Sequence, residues 1–355
     1  MACCGILKKL KAAFKAIYQR VVFKYACVYN KSIAWQRYYF LPREINKRKS
    51  NKLIFEGESV QASVAAFKAS SLTWSQWADV AATPDVQEDE GGFKQVGGHK
   101  GAFEGSDDKV KKLADEAELA FYEFVQKAAG KGDPGQTWPA LYAPKFYGTD
   151  VNAAGQKQIV IENLLQGYKH PCIMDLKIGT ETVADDAKTE KIFRMMKRDV
   201  ANGSALTGVR LIAMSTHHPL SRTTTTAAKK QAEEISGLAS LENILSYFVS
   251  DGDRVRIEVA SQMLAQLEHM LATFERQKCY AFIGSSLLFV FEGSHLPASE
   301  VPKCGVRMID FAHVSRHVGK VDAGYVTGLR SLVGALTTIV SATHLHDHIQ
   351  DKKTN

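Results

Sequence analysis

The 355-residue chain predicts an α+β, two-lobed body. Three observations carry that expectation. Strand and turn signals dominate residues 93–164, helical periodicity dominates the second half, and two apolar β runs (280–291 and 306–312) sit before the last helix. Residues 93–164 then read as a β-rich N-lobe and 165–355 as a mixed α/β C-lobe. Residues 1–52 read as a basic amphipathic extension and 53–92 as a linker or accessory segment. Composition permits this: 45% hydrophobic residues suffice for a core, and 23% charged is ordinary. The length suits one large or two modest domains.

The extension comes first. Ile6, Leu10, Ala13, Phe14, Ile17 and Val21 share one stripe at helical spacing, and Lys8, Lys11 and Lys15 oppose it, which predicts a helix over about residues 5–23. Residues 1–52 hold thirteen Lys/Arg against one acid, Glu44, while the remainder holds 32 basic and 37 acidic residues. The net charge of +7 therefore belongs to the extension. Such a helix suits an anionic membrane surface, with Cys3 and Cys4 as palmitoylation candidates and Ala2 excluding N-myristoylation. A helix packed on the body, its lysines merely solvated, is the bland alternative. The basic, aromatic run 30–52 is too weak a signal to predict a nucleic-acid partner. No apolar run reaches the ~18 residues of a membrane span, and no secretory signal is expected. Six cysteines without metal-pair spacing point to a reducing compartment, cytoplasmic and/or nuclear, with peripheral membrane association through the extension.

In the body, Phe93–Val96 reads as a strand entering the turn Gly97-Gly98, and Lys109–Leu113 as a short strand before a helix from Asp115 to about Ala128. Strands follow at 157–163 and 172–178. A helix capped by Asp185 or Asp186 reaches about Val200. A strand covers 206–214, and His217–Ser236, with its four consecutive threonines, reads as a polar loop. Helices at 239–250 and 254–276 precede the two apolar β runs. A last helix spans Tyr325 to about His348.

The strongest local pattern is Pro171-Cys-Ile-Met-Asp175-Leu-Lys177-Ile-Gly179. On a strand, Asp175 and Lys177 leave the same face. A carboxylate and an ammonium aimed at one point suit phosphoryl transfer, the acid taking a hydroxyl proton and the lysine neutralising the moving phosphoryl; a structural ion pair is the alternative. Met308-Ile309-Asp310-Phe311-Ala312-His313 puts a hard carboxylate at a strand end, as a Mg²⁺–nucleotide ligand requires. Gly284-Ser285-Ser286 offers hydroxyls toward the same metal and phosphates, or a serine pair satisfied by backbone. After the first motif, Lys191, Arg194 and Arg198 share a helix face, flanked by Lys188 and Lys197, with Ile192, Met195 and Met196 turned to the core. In a body that is slightly acidic overall, this basic face suits a polyanionic acceptor, though a solvated helix would look similar.

Taken in this order and spacing, the three motifs resemble the inositol polyphosphate kinase family over roughly residues 93–349. The resemblance implies a protein-kinase-like (ATP-grasp-like) fold, ATP and Mg²⁺ as cofactors, and a small inositol phosphate as acceptor. It implies Asp175 and Lys177 as catalytic residues, Asp310 as the Mg²⁺ ligand and Ser286 beside it. Glu162 would meet adenine through its backbone, with Asn163 near the ribose. Counting back from Phe121-Tyr122-Glu123 puts the phosphate-contacting lysine at Lys112 and its partner at Glu118, with Lys109 and Lys111 as rivals. Gln95–His99 fits the turn over the phosphates. Lys188, Lys191, Arg194, Lys197, Arg198 and His313 would bind the acceptor. Asp175–Thr180 followed by Asp185-Asp186-Ala187 and Glu190-Lys191 looks most like the inositol hexakisphosphate kinases, which implies conversion of the hexakisphosphate to a diphosphate. A multikinase for less phosphorylated inositols or a phosphoinositide lipid, and a silent binding scaffold, are the alternatives. Leu113 stands where the family often has Pro, Ala213 where Gly is usual, and the segment 215–238 is unlike its relatives. The oligomeric state is left open.

Overall fold

The computed structural model describes residues 103–354 apart from 107, 114, 132–136, 184–188, 202, 221–222, 228–230, 233–240, 295–299, 301 and 317–318. The expected N-terminal helix, the 53–92 segment, the strand at 93–96, the turn at Gln95–His99 and the caps Asp185 and Asp186 lie outside the described residues.

Strands β1 (Phe103–Gly105), β2 (Lys109–Leu113), β3 (Phe146–Val151) and β4 (Lys157–Glu162) form an antiparallel sheet in the order β1-β2-β4-β3. Val110, Ile159 and Ile161 point to the core and are buried. Helix α1 (Glu116–Lys131) follows β2. Asp115 starts it, its Oδ1 accepting the Glu118 amide at 2.7 Å, which satisfies one of the donors a helix N-terminus leaves open. Phe121 and Tyr122 on α1 pack edge-on or stacked against Phe146, Tyr280, Phe282 and Phe311. This aromatic cluster joins the first sheet to the rest of the body in one continuous core.

The second sheet has five antiparallel strands in the order β10-β9-β5-β6-β7. They are β5 (Pro171–Ile178), β6 (Val209–His218), β7 (Thr223–Ala227), β9 (Ser286–Glu292) and β10 (Cys304–Ile309). Between β5 and β6 run α2 (Thr189–Ala201) and the single turn α3 (Ser204–Thr207). Strand alternation sorts β5 into two faces. Cys172, Met174, Leu176 and Ile178 are fully buried, while Asp175 and Lys177 face the other way. The buried face is covered by α4 (Leu241–Phe248), α5 (Ile257–Arg276) and α6 (Ala323–Thr354). On α5, Val259, Ala260, Met263, Leu267, Met270 and Phe274 recur at helical spacing and are all buried; each large side chain among them contributes ~1.5–3 kcal/mol by burial.

Two expectations fail. The threonine run is a strand, β7, paired with β6 from Met214↔Ala227 to His218↔Thr223. β-branched threonines favour the pleated state even at a sheet edge, and Thr226 turns inward to donate to Ser215 Oγ at 3.3 Å. The run at 280–291 is broken. Gly284, at φ +70°, lets the chain leave β8 (Tyr280–Phe282), which pairs with β11 (Val314–Arg316), and enter β9 in the other sheet. Helix α6 is longer than expected. Its stretch Ala323–Ala342 is apolar enough to cross a membrane by length and composition, but Tyr325, Leu329, Leu332 and Leu336 belong to the core. It approaches closely because a Cβ at Gly328 would lie 2.5 Å from the Gly208 carbonyl oxygen and 2.7 Å from Ile178 Cγ2.

Candidate active site

Of the three lysines on β2, only Lys112 reaches inward. Its Nζ lies 3.0 Å from Glu118 Oε1 on α1 and 2.6 Å from Asp310 Oδ1 just past β10. Lys111 pairs with Asp150 at 2.6 Å, and Lys109 lies beside Asp108 and over the Tyr147 ring. Alternation explains this choice: Val110 and Lys112 share the face of β2 that packs on the core, and Lys109 and Lys111 share the other. Burial alone would lower the Lys112 pKa, but the two carboxylates outweigh it and hold the ammonium protonated. Glu118 is itself pushed up by burial, against the pull of Lys112. At Asp310 burial works upward too, and Lys112 reverses it, so this carboxyl titrates below its ordinary range. Asp310 is the one non-glycine at positive φ among the described residues, at +63°. Such a conformation costs on the order of 1 kcal/mol, and it ends β10 with the carboxylate in contact with Lys112.

Strand register brings the first motif to the same place. Lys177 stands opposite Ser286, and Ser286 opposite Ile309, next to Asp310. Asp310 acts electrostatically on both Asp175 and Lys177. Burial, then the Asp310 charge, push the Asp175 carboxyl up to about 7, against the Ser286 hydroxyl, Lys177 and Lys112. Burial lowers Lys177, against Asp310 and Asp175. Asp175 Oδ1 and Ser286 Oγ are sealed from solvent with no hydrogen bond of good geometry. Ser286 is near enough to stabilise the Asp175 charge but not aligned to bond it.

Buried polar oxygens left without partners call for a ligand. Among the described residues no three His, Cys, Asp or Glu side chains form a protein-only metal cage. That donor set fits Mg²⁺, which takes one or two carboxylates and completes its shell with water and phosphate oxygens. Asp310, Asp175 and Ser286 would hold it.

The remaining expected residues divide. Glu162 ends β4, and its amide N–H is already spent on the Lys145 carbonyl at 2.9 Å. A backbone contact to adenine at Glu162 would therefore use its carbonyl oxygen. The Glu162 side chain takes Arg307 Nη2 at 2.8 Å. Asn163 donates from Nδ2 to the Ser106 carbonyl at 3.0 Å and accepts the Leu165 amide, so its side chain ties the β1–β2 turn to the chain after β4. On α2, Lys191 and Arg194 are exposed and Arg198 is half-buried, its guanidinium 4.0 Å from Met195 Sδ. Lys188 and the side chains of Lys197 and Met196 lie outside the described residues. His313 is exposed on the turn before β11.

Sequence reasoning missed Arg307, Asp199 and Arg210. Arg307 joins β10 to the end of β4 by donating to the Tyr142 and Ala143 carbonyls as well as to Glu162. Asp199 and Arg210 form a buried ion pair at 3.3 Å beneath α2. Alternation along β10, which puts Arg307 on the face of Ile309, is the signal that could have found it; nothing local marks the other two.

A family model described as inositol polyphosphate kinase matches residues 158–337, half of the chain. The chain belongs to the inositol polyphosphate kinase family. Relatives of this family member include inositol hexakisphosphate kinase 3 of Mus musculus, 32% identical over 201 residues, covering 51% of this chain and 50% of that protein. Inositol hexakisphosphate kinase 2 of Homo sapiens is 31% identical over 221 residues, covering 52% and 51%. The chain thus spans about half the length of the curated relatives it matches. Among solved structures, the inositol phosphate multikinase of S. cerevisiae in complex with ADP and Mn²⁺ aligns with a TM-score of 0.54 at 20% identity, covering 65% of this chain and 98% of that one. A second inositol phosphate multikinase aligns with a TM-score of 0.52 at 26% identity, covering 63% and 100%. The body of this family member, two large sheets and the small β8–β11 pair, shares the fold of those structures.

Proposed function

We propose that the protein is an ATP- and Mg²⁺-dependent kinase whose acceptor is a densely phosphorylated inositol, with inositol hexakisphosphate first among candidates. The observation that carries this reading is the meeting of Lys112, Asp310, Asp175, Lys177 and Ser286, drawn from four separate places in the fold (β2, β5, β9 and the end of β10), around buried oxygens without partners. Lys112, held by Glu118, is placed to contact donor phosphates. Lys177 neutralises charge on the phosphoryl group in flight, and its partial desolvation strengthens that interaction. A divalent ion, when bound, neutralises the charge between the phosphates. Lys191, Arg194 and Arg198 offer the acceptor several charge-assisted contacts. A phosphate oxygen of the hexakisphosphate is already ionised, so Asp175 needs only to orient it.

One observation favours a second reading, a multikinase acting on free hydroxyls. Before any ion binds, burial and the Asp310 charge hold Asp175 near 7, in the range that suits a general base. An acceptor panel separates the two: inositol tris- through hexakisphosphates incubated with ATP and Mg²⁺, products resolved by ion exchange. A diphosphate made from the hexakisphosphate supports the first reading. Turnover of only the lower phosphates supports the second. No transfer to any member of the panel removes both.

A further inference from the structure

Asp199 sits in the last turn of α2, directly after Arg198, and is only 2% exposed. Both of its oxygens accept from Thr182 Oγ1, at 2.9 and 2.8 Å. Oδ1 also accepts from Ser204 Oγ at 3.1 Å on α3 and faces Arg210 Nη1 at 3.3 Å on β6. Arg210 is 4% exposed and stands directly opposite Lys177 in the β5–β6 register. Thr182 lies in the chain just past β5. Its carbonyl oxygen packs 3.2 Å from where a Cβ would sit on Gly284, and Lys177 Nζ is 3.8 Å from the same point.

A single buried carboxylate therefore touches the strand beside Lys177, the segment crossing the turn over Lys177, and the helix that bears the basic face. A buried ion pair is a poor way to gain stability, because desolvation consumes most of the attraction. What it does well is fix relative position, since leaving either charge unpaired is costly. Toward the other end of α2, Lys191 and Arg194 face solvent.

We infer that Asp199 is a positioning residue for the acceptor, locking the basic face of α2 to Lys177 through Thr182 and Arg210. This rests on the polyanionic-acceptor reading above. Loss of the lock lets α2 shift relative to β5, so the acceptor is misplaced while the donor side, built from Lys112 and Asp310, is untouched. Asp199→Asn keeps the shape and loses the charge. Thr182→Val replaces the hydroxyl by a methyl of similar size, and Thr182→Ser keeps the hydroxyl.

The experiment measures kcat and both KM values for each full-length variant with ATP, Mg²⁺ and inositol hexakisphosphate, together with direct binding of that acceptor by calorimetry. The expected result is an acceptor KM and Kd raised about tenfold in Asp199→Asn and about threefold in Thr182→Val, with the ATP KM unchanged and Thr182→Ser restored to wild type. Should Asp199→Asn fail to fold, the Thr182 pair decides alone. Equal changes in both KM values, or no rescue by serine, overturns the positioning role and leaves the kinase reading intact. A wild-type protein that neither binds nor phosphorylates any inositol phosphate overturns both.

Discussion

Asp175→Asn, the loss of a carboxylate proposed to be catalytic, should stabilise the metal-free protein. The fold raises this carboxyl from an ordinary 3.8 to about 7. A shift of about three pH units at ~1.4 kcal/mol each sets a ceiling of about 4 kcal/mol. The sign follows from linkage. The folded state holds the Asp175 proton more tightly than the unfolded chain, so this group's contribution is complete below 3.8 and disappears as pH rises through 7. Above that pH the wild type carries an ionised carboxylate, one oxygen of it sealed from solvent, near Asp310. Asparagine keeps the size and drops the charge. Urea unfolding in chelator should therefore show the variant more stable by roughly 2–4 kcal/mol at pH 8, with the difference closing to under ~1 kcal/mol near pH 4.5. Titrating groups away from the site cancel in that difference, while Asp310 and Lys177, which feel the Asp175 charge, soften its slope. Turnover should vanish in the same variant. Parallel stability curves across this range, or a variant less stable at pH 8, would refute the electrostatic account of the site.

Lys112→Met should destabilise by about 2–3 kcal/mol at pH 8, because Glu118 loses its buried cation; the loss should shrink as the pH falls and Glu118, already raised by burial, takes up a proton, and adding Glu118→Gln should recover part of it. A pH-independent loss, or strict additivity in the double variant, argues against the pair. Lys191→Ala and Arg198→Ala should each raise the acceptor KM several-fold more than the ATP KM; equal effects remove α2 from the acceptor site. Gly328→Ala should lower stability by about 2 kcal/mol in thermal unfolding, since the new Cβ meets the Gly208 carbonyl oxygen at 2.5 Å; an unchanged midpoint would mean α6 shifts freely. For the extension, we propose docking on anionic surfaces: deleting residues 1–25 should leave turnover intact and reduce binding to phosphatidylserine vesicles, and unchanged binding disposes of the idea.

The chemistry was more legible in the sequence than the scaffold that positions it. Asp175 and Lys177 could be placed on one face because side-chain alternation along a strand is local. Lys112 could be counted from Phe121-Tyr122-Glu123, but only the pleat of β2, set by which residues pack on the core, separates it from Lys109 and Lys111. The threonine strand was missed because its stability comes from pairing with β6, a partner that polarity in a short window does not reveal. The break at Gly284 was missed because a continuous apolar run hides a change of sheet. Glu162 was placed at the right strand end, yet its amide partner, the Lys145 carbonyl, is 17 residues earlier in the chain. The Asp199–Arg210 pair left no local trace: both residues belong to ordinary-looking elements and become special only when α2 folds back under β6.

The site depends on register more than on any one side chain. Two rows cross the C-lobe sheet on the cleft face: Ile309, Ser286, Lys177 and Arg210, then Arg307, Leu288, Asp175 and Ala213. The first row places the hydroxyl and the lysine beside Asp310; the second ties Asp175 to the arginine that reaches the end of β4. Arg210 and Ala213 are three residues apart and would fall on opposite faces of a regular strand. A bulge opposite Asp175 and Leu176 keeps them on one face. A one-residue slip of β9 would turn Ser286 into the core and Leu287 into the cleft, with no change in composition. The fully buried run Leu287, Phe289 and Phe291 on the opposite face resists that slip. Burial of apolar side chains on one face of the sheet thereby sets which polar side chains meet on the other, and a substitution in the core that loosens β9 should cost activity before it costs the fold.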